Sequence, residues 1–322
     1  MGNYLIFKRD MEFGKIASEE VNAINFILPK DGIQTGKVLQ AQESGKADIY
    51  VGCAKWGLPE WVDFLYPPKT KTANFLHEYA KHFNSIELNA AYYKIPSIET
   101  VRKWRTQVAD PKMQTASSAK KEFLFCPKFP ETISHHKRLV GAEKATDEFL
   151  NSVIEFEGNL GPCFLQMSDS FSPNNLSALE GFLRSLPLDL DVFVELRNEE
   201  WFSDPDIRKQ VFELFTRLHK GAVITDVSGR RDVLHMEVTV PEVFIRFIGN
   251  GSVHREHNFA RINEWAERLK LWQEKGLKKV YFFVHQHDER ESVLLGAHAI
   301  KAFNKTLGSK IPEIKLQPSL FI

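Results

Sequence analysis

Cysteine is scarce in this chain. Cys53, Cys126 and Cys163 stand far apart with no C-x-x-C pair, which argues against a disulfide framework or a structural zinc site. Net charge is also missing: Lys and Arg total 42 and so do Asp and Glu, leaving no overall field to draw the molecule to nucleic acid or an anionic membrane. No uncharged apolar stretch approaches the roughly 18 residues that a membrane span requires. The opening Met1-Gly2-Asn3-Tyr4-Leu5-Ile6 lacks the apolar core of a signal peptide, and Ile6 stands where a myristoylation motif needs Ser or Thr. These absences predict a cytoplasmic protein with no membrane partner. Several catalytic signatures are lacking too: there is no H-E-x-x-H, no G-x-S-x-G and no Gly-rich phosphate loop.

What is present is the composition of a folded protein, 322 residues of which 43% are hydrophobic and 26% charged. From Asp48 onward, short β-rich apolar runs alternate with stretches of helical periodicity, the pattern of repeated βαβ units. Strands are expected near 48–53, 85–89, 123–128, 162–166, 191–196, 221–226, 243–248 and 279–285. Helices are expected over 71–83, 98–108, 146–156, 176–184, 206–220 and 261–275, with Ser203-Asp204-Pro205 marking one start. The gap at 227–242 is short for a crossover helix. A doubly wound open sheet would show the same alternation, but the first strand runs into Gly52-Cys53-Ala54-Lys55-Trp56 rather than a phosphate-binding fingerprint. The expected fold is therefore an α/β (β/α)8 TIM barrel over residues 47–322, with residues 1–46 an N-terminal extension packed on it.

In such a barrel the carboxyl ends of all the strands meet around one pocket. Here those ends are polar: Lys55 and Trp56, Glu87 and Asn89, Lys128, Gln166, Glu195 and Arg197, Asp226, Arg246, and His285-Gln286-His287-Asp288. Glu87 with Asn89, Glu195 with Arg197 and His285 with His287 are spaced by two, which puts each pair on one side of its strand.

Several runs resemble the DUF72 family, also called YecE-like proteins. They are Val51-Gly52-Cys53-Ala54-Lys55-Trp56; Ser85-Ile86-Glu87-Leu88-Asn89 with Tyr92-Tyr93; Phe125-Cys126-Pro127-Lys128; Glu195-Leu196-Arg197 with Trp201-Phe202; Ile224-Thr225-Asp226; and Ile245-Arg246-Phe247. The resemblance spans about residues 48–305. It implies a TIM barrel and no particular reaction, the family being defined as a domain of unknown function. Many relatives carry an Asn-rich stretch at the end of strand eight, where this chain has His285-Gln286-His287-Asp288.

The residue types at the strand ends predict acid–base chemistry on a small, polar, anionic substrate such as a sugar phosphate. Glu87, Glu195, Asp226 and His287 are the candidate catalytic residues. Lys55, Trp56, Asn89, Tyr92, Lys128, Gln166, Arg197, Arg246, His285 and Gln286 are the candidate binding residues, with the cations holding negative charge. A divalent metal held by His287, His285 and a carboxylate is a second expectation. A non-catalytic barrel that binds a metabolite is a third, with nucleic acid a minor partner because the overall charge is neutral.

Overall fold

The structure is a computed structural model and describes residues 13–109, 122–286 and 288–316. Strands and helices alternate. The strands are β1 (Asp48–Cys53), β2 (Ser85–Leu88), β3 (Leu124–Pro127), β4 (Cys163–Gln166), β5 (Val192–Glu195), β6 (Gly221–Asp226), β7 (Glu242–Ile248) and β8 (Lys279–His285). All fall within a residue or so of the expected positions. The longer helices are α1 (Ile33–Gln40), α2 (Phe75–His82), α3 (Ile98–Val108), α4 (Glu143–Val153), α5 (Leu176–Ser185), α6 (Pro205–Arg217), α7 (Arg255–Glu274) and α8 (Ser292–Leu307). Local signals set their ends. Asp204 caps α6 by accepting from the Asp206 and Ile207 amides ahead of Pro205, and Gly308 closes α8 in the left-handed conformation. No helix among the described residues is long and apolar enough to cross a membrane.

Six strands form a curled parallel sheet in the order β1-β8-β7-β6-β5-β4, and β2 pairs with β3 in a second parallel sheet. First and last strands are thus neighbours, with Val51 opposite Phe282. The ladder is interrupted where β2 meets β1, and side chains replace it. Asn84 accepts from the Val51 amide and donates to the Ile49 carbonyl, and the Tyr79 hydroxyl accepts from the Cys53 amide and donates to the Ser85 carbonyl. Gly52 allows this approach, because a Cβ there would lie 2.1 Å from the Ser85 oxygen. On the other side, the Phe129 amide donates to Phe164 and the Gly161 amide to Phe125, tying β3 to β4.

Between β6 and β7 the described chain has only a 3-10 turn, Arg231–Val233, where each other junction carries a helix. The N-terminal segment covers this gap. The first turn of α1 docks on Glu237, whose carboxylate accepts from the Ile33 and Gln34 amides. Thr35 donates to the Met236 carbonyl and accepts from the Val238 amide. The preceding residues lie along α7, where Asp31 takes bonds from Arg268, Trp272 and Lys275.

Parallel strands covered on both faces need apolar residues on both. The outward face packs against buried helix residues such as Ile262, Trp265, Leu269 and Trp272 of α7. The inward face forms a second cluster of Tyr50, Cys126, Phe164, Phe193, Val223, Phe244, Tyr281 and Phe283, drawn from both sheets.

The Tyr79 bridge yields a prediction. Tyr79→Phe leaves the buried Cys53 amide without its acceptor, so urea unfolding should show a loss of about 1–3 kcal/mol. A loss below measurement error would mean that the hydroxyl does not join the two strands.

Candidate functional site

Reading two residues onward from the inward aromatic layer gives a polar layer. Cys126, Phe164, Phe193, Val223, Phe244 and Phe283 are followed at that spacing by Lys128, Gln166, Glu195, Thr225, Arg246 and His285. Strand alternation turns each polar residue to the same interior as its apolar predecessor, one step nearer the carboxyl ends. The register sets neighbours side by side, with Gln166 opposite Glu195 and Thr225 opposite Arg246.

Two buried carboxylates, Glu87 and Glu195, meet one guanidinium. Arg246 donates from Nε and Nη2 to the two oxygens of Glu87 at 2.9 and 3.0 Å, and from Nη1 to those of Glu195 at 3.2 and 2.9 Å. Each carboxylate takes further donors. Glu195 accepts from Arg197 Nε at 3.0 Å, Thr225 Oγ1 at 3.1 Å and Gln166 Nε2 at 2.7 Å. Glu87 accepts from Asn89 at 2.9 Å and lies 3.0 Å from His285 Nε2. Lys128 Nζ donates to Gln166 Oε1 at 2.7 Å and sits 3.8 Å from the centre of the Tyr92 ring.

Burial alone would raise both carboxyl pKa values. Arg246 with His285 nevertheless holds Glu87 well below the usual carboxylate range, and Arg246 with Arg197 lowers Glu195 to about 2. Both are therefore ionised near neutral pH and act as acceptors only. A group of such low pKa is a weak base, and the bonds that the two accept tie down Arg246, Arg197 and His285.

A pocket of about 360 Å³ opens above this layer. Of the expected binding residues, Lys55, Trp56, Asn89, Lys128, Gln166, Arg197, Arg246, His285 and Gln286 line it. Lys55, Lys128, Arg197 and Arg246 bring positive charge to its wall, set against the carboxylate of Glu289 among the described lining residues and the buried carboxylates of Glu87 and Glu195 that Arg246 and Arg197 bond. Gln286 is fixed by the Gly251 amide, which donates to its Oε1. Glu87 and Glu195 lie beneath the floor.

Three expected placements need correction or fall outside the structure. Asp226 is not at the mouth: it follows inward-facing Thr225 by one residue and so turns outward, where Arg231, Arg261 and Trp265 bond its carboxylate. Those cations, against burial, hold it below the ordinary aspartate range. Tyr92 is not a wall residue either. It is buried beneath Lys128, and its neighbour Tyr93 lines the pocket. His287 lies outside the described residues.

Among the described residues no group of three ligating side chains gathers, Asp226 faces away and Glu195 is taken by Arg246, Arg197, Gln166 and Thr225. The cysteines are buried, and burial pushes their thiols up, away from nucleophilic use. Sequence reasoning missed Thr225, which bonds Glu195, and Phe13, which lines the pocket. Thr225 was signalled by alternation with Val223, whereas nothing in the sequence joined Phe13 to the strand ends.

The shared guanidinium predicts a pH signature. In Arg246→Met two buried carboxylates lose their main counter-charge, and stability at pH 7 should fall by about 3–5 kcal/mol. In the native protein Glu195 titrates near 2 against an ordinary 4.5, so its contribution is complete above 4.5 and fades as pH falls towards 2. In the variant burial lifts the carboxyl pKa values, so acidification from pH 7 relieves it. The native-to-variant gap measured by denaturant unfolding should therefore narrow between pH 7 and 4, and a constant gap would contradict the arrangement.

Comparison with known proteins gives the family and the fold. The family model described as "Protein of unknown function DUF72" matches residues 50–317. The chain is 29% identical over 296 residues to the UPF0759 protein YecE of Escherichia coli K12, covering 85% of this chain and all of that protein. It is 27% identical over 165 residues to the UPF0759 protein YunF of Bacillus subtilis 168, covering 49% and 53%. Crystal structures of DUF72 family proteins share the fold. One from Enterococcus faecalis V583 matches with a TM-score of 0.59 at 22% identity, over 83% of this chain and all of that one. One from Thermotoga maritima MSB8 matches at 0.56 and 20%, over 81% and all. With its family match running from β1 to the residues beyond α8, the chain belongs to the DUF72 family.

Proposed function

We propose that the two sheets work as one closed (β/α)8 barrel completed by its N-terminal extension, and that the mouth is an enzyme pocket for a small anionic metabolite of the sugar-phosphate kind. The pairing of β1 with β8 and the side-chain bridges from β1 to β2 support closure. The cations of the wall support an anionic substrate, because guanidinium and ammonium groups held by a buried framework stabilise charge without having to reorganise. The pocket is concave and confined, which favours a metabolite over a nucleic-acid strand.

The observation that carries a reaction is the Glu87–His285 pair at 3.0 Å beside Arg246. Glu87 is ionised and can only accept, so His285 donates from Nε2 and keeps Nδ1 as its basic atom. A carboxylate that fixes the imidazole tautomer beside an anion cradle suits proton transfer in hydrolase, lyase or isomerase chemistry. In this account His285 moves the proton, Glu87 orients it, and Lys128, Arg197 and Arg246 hold the substrate's charge.

A panel of sugar phosphates tested by thermal shift should contain at least one compound that raises the native melting temperature, since a ligand of the folded state must stabilise it. Lys128→Met should lose that response, whereas His285→Gln should keep it and lose turnover of the same compound. The reading fails if no phosphorylated compound stabilises the native protein, or if Lys128→Met responds as the native protein does.

A further inference from the structure

The N-terminal segment does more than fill the gap beside β6. Phe13 lines the mouth pocket, and its ring centre lies 4.1 Å from the Arg197 guanidinium carbon and 5.1 Å from that of Arg230. Arg230 is itself tied to the site, donating to the Arg197 carbonyl and to Asp232. The aromatic ring is thus stacked on one of the cations of the anion cradle.

The junction that delivers Phe13 is specifically built. Gly14 has φ of +66°, and a Cβ there would come within 2.7 Å of Val227. The Gly229 amide donates to the Gly14 carbonyl at 2.8 Å, and a Cβ on Gly229 would lie 2.8 Å from that same oxygen. Glycine on both sides lets the segment dock on the loop that follows β6. Two further points hold its course: Ser18 Oγ lies 2.8 Å from His254 Nε2, and Phe26 packs against Arg231 and Arg261 at 5.2 and 4.7 Å.

Among the described residues, Phe13, Trp56 and Tyr93 place aromatic side chains on the pocket wall. Trp56 is braced edge-on by Trp104 and Tyr93 by Tyr92. Rings presented beside fixed cations recognise a ligand with two parts, an anionic group for the cations and a flat face for stacking. A purely polar phosphate needs no aromatic wall.

We infer that Phe13 is a specificity-determining residue of the mouth, contributed by the N-terminal segment, and that the substrate class is an anion bearing a planar aromatic or heteroaromatic ring. This rests on the reading of the mouth as an anion pocket and keeps its charged group, while a flat ring takes the place of the sugar. The ring stacks on the aromatic wall while Lys128, Arg197 and Arg246 take the charge. Phe13 also holds Arg197 in position by covering its guanidinium plane.

The test uses three probes with the full-length protein, inorganic phosphate, phenyl phosphate and cyclohexyl phosphate, with affinities measured by titration calorimetry. The native protein should prefer phenyl to cyclohexyl phosphate by about tenfold, the scale of one aromatic stacking contact. Phe13→Ala should reduce that preference to about twofold or less, and Phe13→Tyr, which keeps the aromatic face, should restore it. Melting temperatures of the two variants, each measured without ligand, separate lost stacking from lost folding. Equal binding of phenyl and cyclohexyl phosphate, or a preference that persists in folded Phe13→Ala, overturns the inference while leaving the anion pocket standing. If none of the three binds the native protein, the anion reading fails and this inference fails with it.

Discussion

The mouth depends on one electrostatic constraint: two fully buried carboxylates sit at the end of an otherwise apolar interior, and a single guanidinium serves both. Each of these ions would be costly to bury alone. Together Arg246, Glu87 and Glu195 form a bonded unit whose outer atoms reach Arg197, Thr225, Gln166, Asn89 and His285. The side chains that face the pocket are therefore held from below by an ionic framework. Replacing that framework with apolar side chains would preserve the packing but release the cations and the imidazole. A preorganised set of charges, rather than added stability, is what such a buried network provides here.

A second constraint is topological. Every strand of the sheet must be covered on its outer face, and the chain between β6 and β7 carries only a 3-10 turn. The N-terminal segment supplies a helix, held at Glu237 and Thr35, and the same segment brings Phe13 to the mouth. Covering the sheet and walling the pocket are thus linked through one piece of chain. Phe26, seated against Arg231 and Arg261 near Asp226, fixes the segment between those two points.

The strand positions were legible in the sequence because strands buried on both faces read as apolar runs, and the polar ends of those runs marked the mouth. Period-two alternation was legible as well, and applied consistently it would have placed Thr225 inward and Asp226 outward. Three features had no local signal. The break in the ladder beside β2 depends on Asn84 and Tyr79 meeting β1 across the fold. The pairing of α1 with the β6–β7 connection joins residues some 200 positions apart. The approach of Phe13 to Arg197 depends on Gly14 and Gly229 together. Residue type suggested that Glu87 and Glu195 were proton carriers. Their partners across the fold, Arg246 for both and His285 for Glu87, carried no local signal.

The most direct test of this account is the tautomer of His285, read by ¹⁵N NMR of the imidazole at neutral pH in the native protein and in Glu87→Gln. Because Glu87 is ionised and only accepts, the native ring must carry a proton on Nε2. The account predicts Nε2–H in the native protein and a mixed population of tautomers once the carboxylate is replaced. A native ring protonated on Nδ1 alone, or a tautomer indifferent to Glu87→Gln, would contradict the claim that the buried ionic framework sets the chemistry of the mouth.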